Sequence, residues 1–234
     1  MTFSQSAYGS PHGASGPGSS SGDAGGSEWQ ARALHRSLER ARTRSVERME
    51  RLVTAARELA DETGTAAFTV TQVTERAGLS LKSFYRCFPG KDELLIALLE
   101  EDTRLGASML AEAIAPRSQP VERLRAYVDG LFEFLTLPGA LGYAGLLVRE
   151  HRRLAEGHPA ELRAALAPLI DMLAAELAAV GPSERVGRDP SRAAETIFGV
   201  LLSGINDVTL GRAEPREVAV YLWQFCWAGV RGDS

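Results

Sequence analysis

Ser80, Lys82, Ser83 and Tyr85, followed shortly by Lys91, are the side chains in this sequence best placed to do chemistry. Hydroxyls, ammonium groups and a phenol crowded around one short segment suit phosphate oxygens and base edges rather than bond-breaking. Lys82 and Lys91 are the only lysines in the chain, and Arg76 and Arg86 stand close by. Catalytic arrangements are missing. There is no Gly-x-Ser-x-Gly or His-Glu-x-x-His, and Lys91 is followed by Asp92 where a phosphate loop has Ser or Thr. Gly16-Pro17-Gly18 has no strand before it, and Glu150-His151 are neighbours that point apart on a helix. No catalytic residue, metal ligand or cofactor is expected, and the chain reads as a binding protein rather than an enzyme.

The elements that must hold these side chains are short helices. Thr69 can cap one helix, with Gln72 completing a capping box and Phe68 and Val73 at the positions of a hydrophobic staple. That helix runs to about Ala77, and Gly78 suits the left-handed turn that follows. Ser80 can cap a second helix over about Leu81–Phe88, with Leu79 and Phe84 as its staple, ending before Pro89-Gly90. Two short helices around a tight Gly turn form a helix-turn-helix, which presents its second helix to the major groove of DNA. Phe84, Phe88, Leu79 and Val73 read as its core, and Cys87 as a packing residue.

The run Thr69-Val70-Thr71-Gln72-Val73-Thr74-Glu75-Arg76-Ala77-Gly78-Leu79-Ser80, then Ser83-Phe84-Tyr85-Arg86, Phe88 and Lys91-Asp92-Glu93-Leu94-Leu95, resembles the DNA-binding signature of TetR/AcrR-family transcriptional regulators. The resemblance implies an all-α fold: a three-helix DNA-binding domain, then a helical bundle that binds a ligand and dimerises. It also implies a repressor that leaves its operator when a small molecule binds. Carried onto this chain, Thr69 caps the second helix beside a phosphate. Ser80, Leu81, Lys82 and Ser83 open the recognition helix, Tyr85 contacts the DNA backbone, and Lys91 binds phosphate near the start of the fourth helix. Lys82 stands where the family often has Gly, Cys87 where an aromatic or His is usual, and Gly90 where Ser often caps. The alternative is a helical dimeric adaptor or sensor without DNA binding. Ser80, Lys82, Tyr85 and Lys91 argue against it.

Charge supports a division of labour. The 234 residues carry 26 Lys+Arg against 30 Asp+Glu, a net charge of −4, so the whole chain does not coat nucleic acid. Residues 28–95 hold 12 basic against 10 acidic groups, and residues 96–234 hold 14 against 19. Residues 1–27 are rich in Gly, Ser and Pro and read as a disordered tail. Residues 28–43 read as a basic helical arm, 44–95 as the DNA-binding domain and 96–234 as the sensor. Two cysteines, no apolar run long enough to cross a membrane and no secretory leader point to a cytoplasmic location.

In the rear section, apolar stretches over 91–114, 120–137, 141–156, 159–180, 190–210 and 215–230 predict helices. Pro168 interrupts the stripe of Leu162, Leu166, Leu169, Leu173, Leu177 and Val180. It marks either a bent pocket wall or a helix boundary. Tyr127, Phe132, Phe134, Tyr143, His151 and Met172 are candidates to line a pocket for a small hydrophobic effector, or else belong to ordinary core. Val218 through Val230 has no charged residue. A helix apolar all round needs burial on all sides, which a two-fold partner supplies through 190–210 and 215–230. Gly199 and Ser203 allow close helix approach there.

Arg40, Arg42 and Arg44 precede the first domain helix in this reading, where an arm reaches an adjacent minor groove. Removing residues 1–43 is expected to weaken operator binding and flatten the slope of log affinity against log salt. An unchanged slope would rule the arm out as a DNA contact.

Overall fold

Apolar residues at three- and four-residue steps, punctuated by Pro, Gly and polar caps, wind into helices throughout the described residues of this computed structural model, which are 27–137, 140–180 and 189–231. They run α1 (Glu28–Thr63), α2 (Val70–Ala77), α3 (Leu81–Cys87), α4 (Lys91–Ile114), α5 (Pro120–Glu133), α6 (Ala140–Gly157), α7 (Pro159–Ala179), α8 (Pro190–Thr209) and α9 (Pro215–Arg231). A 3₁₀ turn, Phe134–Thr136, follows α5, and no strand occurs among the described residues. Of the expected Gly/Ser-rich tail, all but its last residue lies outside the described residues.

The chain divides into two units after Thr43. In the first, residues 28–43 are helical with Trp29, Leu34 and Leu38 exposed. No Gly or Pro stands between Glu28 and Thr63, so α1 is one helix, and Arg40, Arg42 and Arg44 lie inside it rather than ahead of it. The periodic run is also buried over only part of its length: Leu52, Val53, Ala56, Leu59 and Ala60 are core, while Val46 is exposed.

In the second unit, α2 and α3 join Leu52, Val53 and Leu59 through Phe68, Val73, Ala77, Phe84 and Phe88, all buried. Gly64 and Gly78, both at φ 62°, end α1 and α2 in left-handed geometry that only Gly adopts without a Cβ penalty. Behind them stands a helical bundle. α4 packs along α7, α7 along α8, α5 against α9, and α6 and α9 against α8. Pro168 lies inside α7, so the helix-boundary reading is overturned. Asp189 caps α8 by accepting from the Ser191 N–H at 3.2 Å, with Pro190 in the first turn.

Within the chain, α8 and α9 come together at a small residue of α8. Gly199 and Ser203 are exposed; Gly204 is buried, and a Cβ there would sit 2.5 Å from Leu222 Cδ1 and 2.8 Å from Val218 Cγ1. Gly204→Ala is therefore expected to cost about 1–3 kcal/mol through overpacking. Gly199→Ala meets open space within the chain and should not overpack its core. Urea denaturation of both variants at equal protein concentration checks the contrast.

Candidate nucleic-acid interface and apolar cavity

The helix-turn-helix is held by its caps. Thr69 Oγ1 accepts from the Gln72 N–H at 3.2 Å, and Gln72 Oε1 accepts from the Thr69 N–H at 2.8 Å, closing the capping box. At the turn, the Gly78 N–H donates to Glu75 O at 3.1 Å and the Leu79 N–H to Thr74 O at 2.9 Å. Ser80 Oγ then accepts from the Ser83 N–H at 3.2 Å to start α3. Arg51 of α1 donates to the carbonyls of Ala77 and Gly78, so the long helix grips the turn directly. That contact is not visible in the local pattern, because the two partners are far apart in sequence.

One face of α3 is locked down and the other is free. Phe84 is fully buried and its ring lies 5.9 Å from Phe88. Tyr85 packs edge-on against Phe84 at 5.3 Å yet remains 60% exposed, leaving its hydroxyl on the surface. Ser80, Leu81, Lys82 and Arg86 are exposed and Ser83 is half-buried. Lys82 and Arg86 have no ion-pair or hydrogen-bond partner among the described residues. Sequence reasoning thus placed Ser80, Leu81, Lys82, Ser83 and Tyr85 together on one short, well-capped element.

The other cations are already engaged. Arg76 donates to Glu62 at 2.8 and 2.9 Å and to Glu58 at 3.3 Å, holding the Glu62 carboxyl below its ordinary pKa. Lys91 donates to the carbonyl of Ala66 and lies 4.7 Å from the centre of the Phe68 ring. Burial lowers its pKa. It ties the loop before α2 to the start of α4. Arg40, Arg42 and Arg44 are exposed on α1. A helix about 10–12 Å wide does not fit a minor groove about 6 Å wide, so α1 itself does not enter one in this conformation.

A second feature lies inside the bundle: a cavity of about 320 Å³. Leu99, Asp102, Thr103, Gly106 and Leu110 of α4 line it, with Phe134 and Leu135 of the 3₁₀ turn. α6 adds Ala144, Leu147, Val148 and His151, α7 adds Leu166 and Leu169, and α8 adds Phe198, Leu202 and Ile205. Of the expected lining, Phe134 and His151 are there, and burial lowers the His151 pKa so that the ring is neutral near pH 7. Tyr127 is not. It is fully buried behind the wall, donating to Leu169 O at 3.1 Å. Phe132 is core beside Gly204, and Met172 packs against the core without lining the cavity. The Tyr143 side chain lies outside the described residues.

Asp102 was missed by the sequence reading. Its Oδ1 accepts from Arg57 Nη2 at 2.6 Å and Nε at 3.1 Å, whereas its Oδ2 is buried with no hydrogen-bond partner. Burial pushes the carboxyl up to about 6, against the pull of Arg57 and with help from Glu101 and Asp61. The sequence offered little signal, since Asp102 is the last of three consecutive acids, Glu100, Glu101 and Asp102, between Leu99 and Gly106. α6 is also two-sided. Besides lining the cavity, it reaches forward, with Arg149 donating to Gly64 O at 2.6 Å and Arg153 to Asp92 at 2.7 Å.

Comparison with known proteins agrees with this arrangement. Residues 52–98 match the family described as bacterial regulatory proteins, tetR family. The HTH-type transcriptional activator FasR of Mycolicibacterium smegmatis is 32% identical over 89 residues, 38% of this chain and 41% of that protein, so the chain spans about two fifths of that relative. Thermus thermophilus FadR, a TetR-family transcriptional repressor solved with lauroyl-CoA, is similar at TM-score 0.62 and 21% identity over 77% of this chain and 94% of that one. Bacillus subtilis FadR, solved with stearoyl-CoA, is similar at TM-score 0.59 and 19% identity over 77% and 98%. At such identities these two structures establish the shared fold.

The two lysines should separate in mutagenesis. Lys82→Ala is expected to reduce the salt slope of DNA binding by about one unit while leaving stability unchanged. Lys91→Ala should lower thermal stability by about 1 kcal/mol. Fluorescence anisotropy across a salt series, paired with thermal melts, reads both.

Proposed function

We propose that this chain, whose residues 52–98 match the family described as bacterial regulatory proteins, tetR family, is a homodimeric, sequence-specific DNA-binding regulator of that family. In this reading it is a repressor that leaves its operator when a small hydrophobic molecule fills the cavity. The observation that carries the proposal is α3: a capped, rigidly seated helix whose outward residues Ser80, Lys82, Tyr85 and Arg86 are left uncovered. Lys82 and Arg86 among them make no ion pair or hydrogen bond within the described residues.

The dimer is supported by α9. Only Ala219, Leu222 and Val230 are buried within the chain, whereas Val220, Tyr221 and Phe225 are exposed, with the Tyr221 and Phe225 rings stacked at 6.3 Å. A second copy packed on α8 and α9 covers them, and it sets two recognition helices for successive major grooves about 34–36 Å apart.

The nearly all-apolar lining supports a hydrophobic effector. A fatty-acyl chain is the class favoured by the two FadR complexes. α6 offers the route from cavity to DNA, since Leu147 and His151 line the cavity while Arg149 and Arg153 hold Gly64 and Asp92. A ligand that shifts α6 moves the end of α1 and the start of α4, biasing the dimer between two spacings. Coupling of this kind is typically worth about 1–3 kcal/mol.

Gel retardation of DNA from upstream of the chain's own gene tests the proposal, with and without lauroyl-CoA. A retarded band that lauroyl-CoA abolishes is expected. A band that lauroyl-CoA strengthens would make the protein an activator, as FasR is named, and no band with any operator-length duplex would favour the adaptor. Arg149→Ala combined with Arg153→Ala is expected to keep the band and blunt the ligand's effect by about tenfold.

A further inference from the structure

α3 turns two rows of side chains outward, Leu81 with Tyr85 and Lys82 with Arg86, each pair four residues apart and all four exposed. Three of the four end in a polar or charged group. Leu81 does not. It is 45% exposed, while Leu79 before it and Cys87 after it pack against the core. The hydroxyls of the first turn are already spent on its cap: Ser80 Oγ accepts from the Ser83 N–H at 3.2 Å and lies 3.0 Å from Ser83 Oγ. Leu81 and Lys82 are therefore the first-turn side chains left to meet a partner.

The two differ in what they can recognise. An ammonium group suits a phosphate oxygen, which every nucleotide carries and which holds no sequence information. An isobutyl group makes no hydrogen bond and gains only by leaving water against another apolar surface. The major-groove edges of the four bases present donors and acceptors, and thymine alone adds a methyl group, on C5. The first turn of a helix docked in the major groove is the part that reaches base edges. An apolar side chain there finds its match at thymine and less apolar surface at any other base.

Resting on the DNA-binding reading above, we propose that Leu81 reads a thymine in each half-site of the operator by packing its side chain on the C5 methyl group. Lys82, beside it, holds a phosphate, which leaves the base edge to Leu81. The contact belongs to the side chain alone and uses no backbone N–H of the short helix. With two copies related by a two-fold axis, the thymines fall at symmetric positions in the two half-sites.

Deoxyuridine tests this, because it pairs as thymidine does and lacks only the methyl group. A duplex that the full-length protein selects from a random-sequence pool is remade with each thymidine and its symmetry mate replaced in turn, and affinities are read by fluorescence anisotropy. At one symmetric pair the replacement is expected to weaken binding about fourfold per half-site, equivalent to about 0.8 kcal/mol, the worth of one buried methyl group. Leu81→Ser and Leu81→Gln should each bind the thymidine and deoxyuridine duplexes within about 1.5-fold of each other, and both should keep the melting temperature of the unaltered protein because the position is exposed. Leu81→Met should retain the preference, and Tyr85→Ala should weaken both duplexes alike. Tolerance of deoxyuridine at every position by the unaltered protein would overturn the role of Leu81 while leaving the DNA-binding reading intact. A preference that survives both Leu81→Ser and Leu81→Gln, or disappears in Tyr85→Ala, would also overturn it. If the pool yields no bound duplex, the DNA-binding reading falls, and this proposal with it.

Discussion

Seven residues are too few to hold a helix in water, where isolated helices shorter than about 12–15 residues are marginal. α3 exists because Phe84 is buried completely, with its ring against Phe88, and because both of its ends are closed. Ser80 closes the start; the Phe88 N–H, donating to Phe84 O at 2.8 Å, closes the finish. The turn before it is stiffened by Gly78 in left-handed geometry and by Arg51 on the carbonyls of Ala77 and Gly78. The outward side chains of α3 gain their fixed orientation from these inward contacts. A side chain on a fraying helix would lose in ordering entropy what it gained in contact with a partner.

Charge was harder to read than hydrophobicity. Lys82, Lys91, Arg76 and Arg86 look equivalent as letters in a short segment, yet they divide into two pairs. Lys82 and Arg86 point to solvent, whereas Arg76 is spent on Glu58 and Glu62 and Lys91 on Ala66 and Phe68. Arg76 finds its carboxylates on α1, fourteen and eighteen positions earlier. No local rule pairs residues that far apart. The capping box at Thr69 and Gln72 was legible for the opposite reason: its partners are three residues apart and the geometry repeats from helix to helix.

The cavity repeats the lesson in the bundle. Aromatic residues attracted attention as lining, and Phe134 and His151 do line it, but Tyr127 and Phe132 are filler behind the wall. Periodicity identifies the face of a helix that turns inward without saying whether a neighbour or a void meets it. Asp102 went unnoticed because an acid on α4 resembles Glu100 or Glu101 until Arg57 of α1 and the cavity are set on either side of it. It stands where α4 meets α1, while α6 reaches Gly64 and Asp92 through Arg149 and Arg153.

The sequence by itself determined the helices, nearly all their ends, the turn at Gly78 and the residues that α3 presents. These follow from interactions spanning three to five positions, which the order of residues encodes directly. Only the tertiary structure decided that Gly204 brings α8 to α9, which cations stay free, and that one carboxyl oxygen of Asp102 is buried without a partner. Each of those depends on distances between helices, and such distances are set by how whole surfaces interlock rather than by any local run of residues.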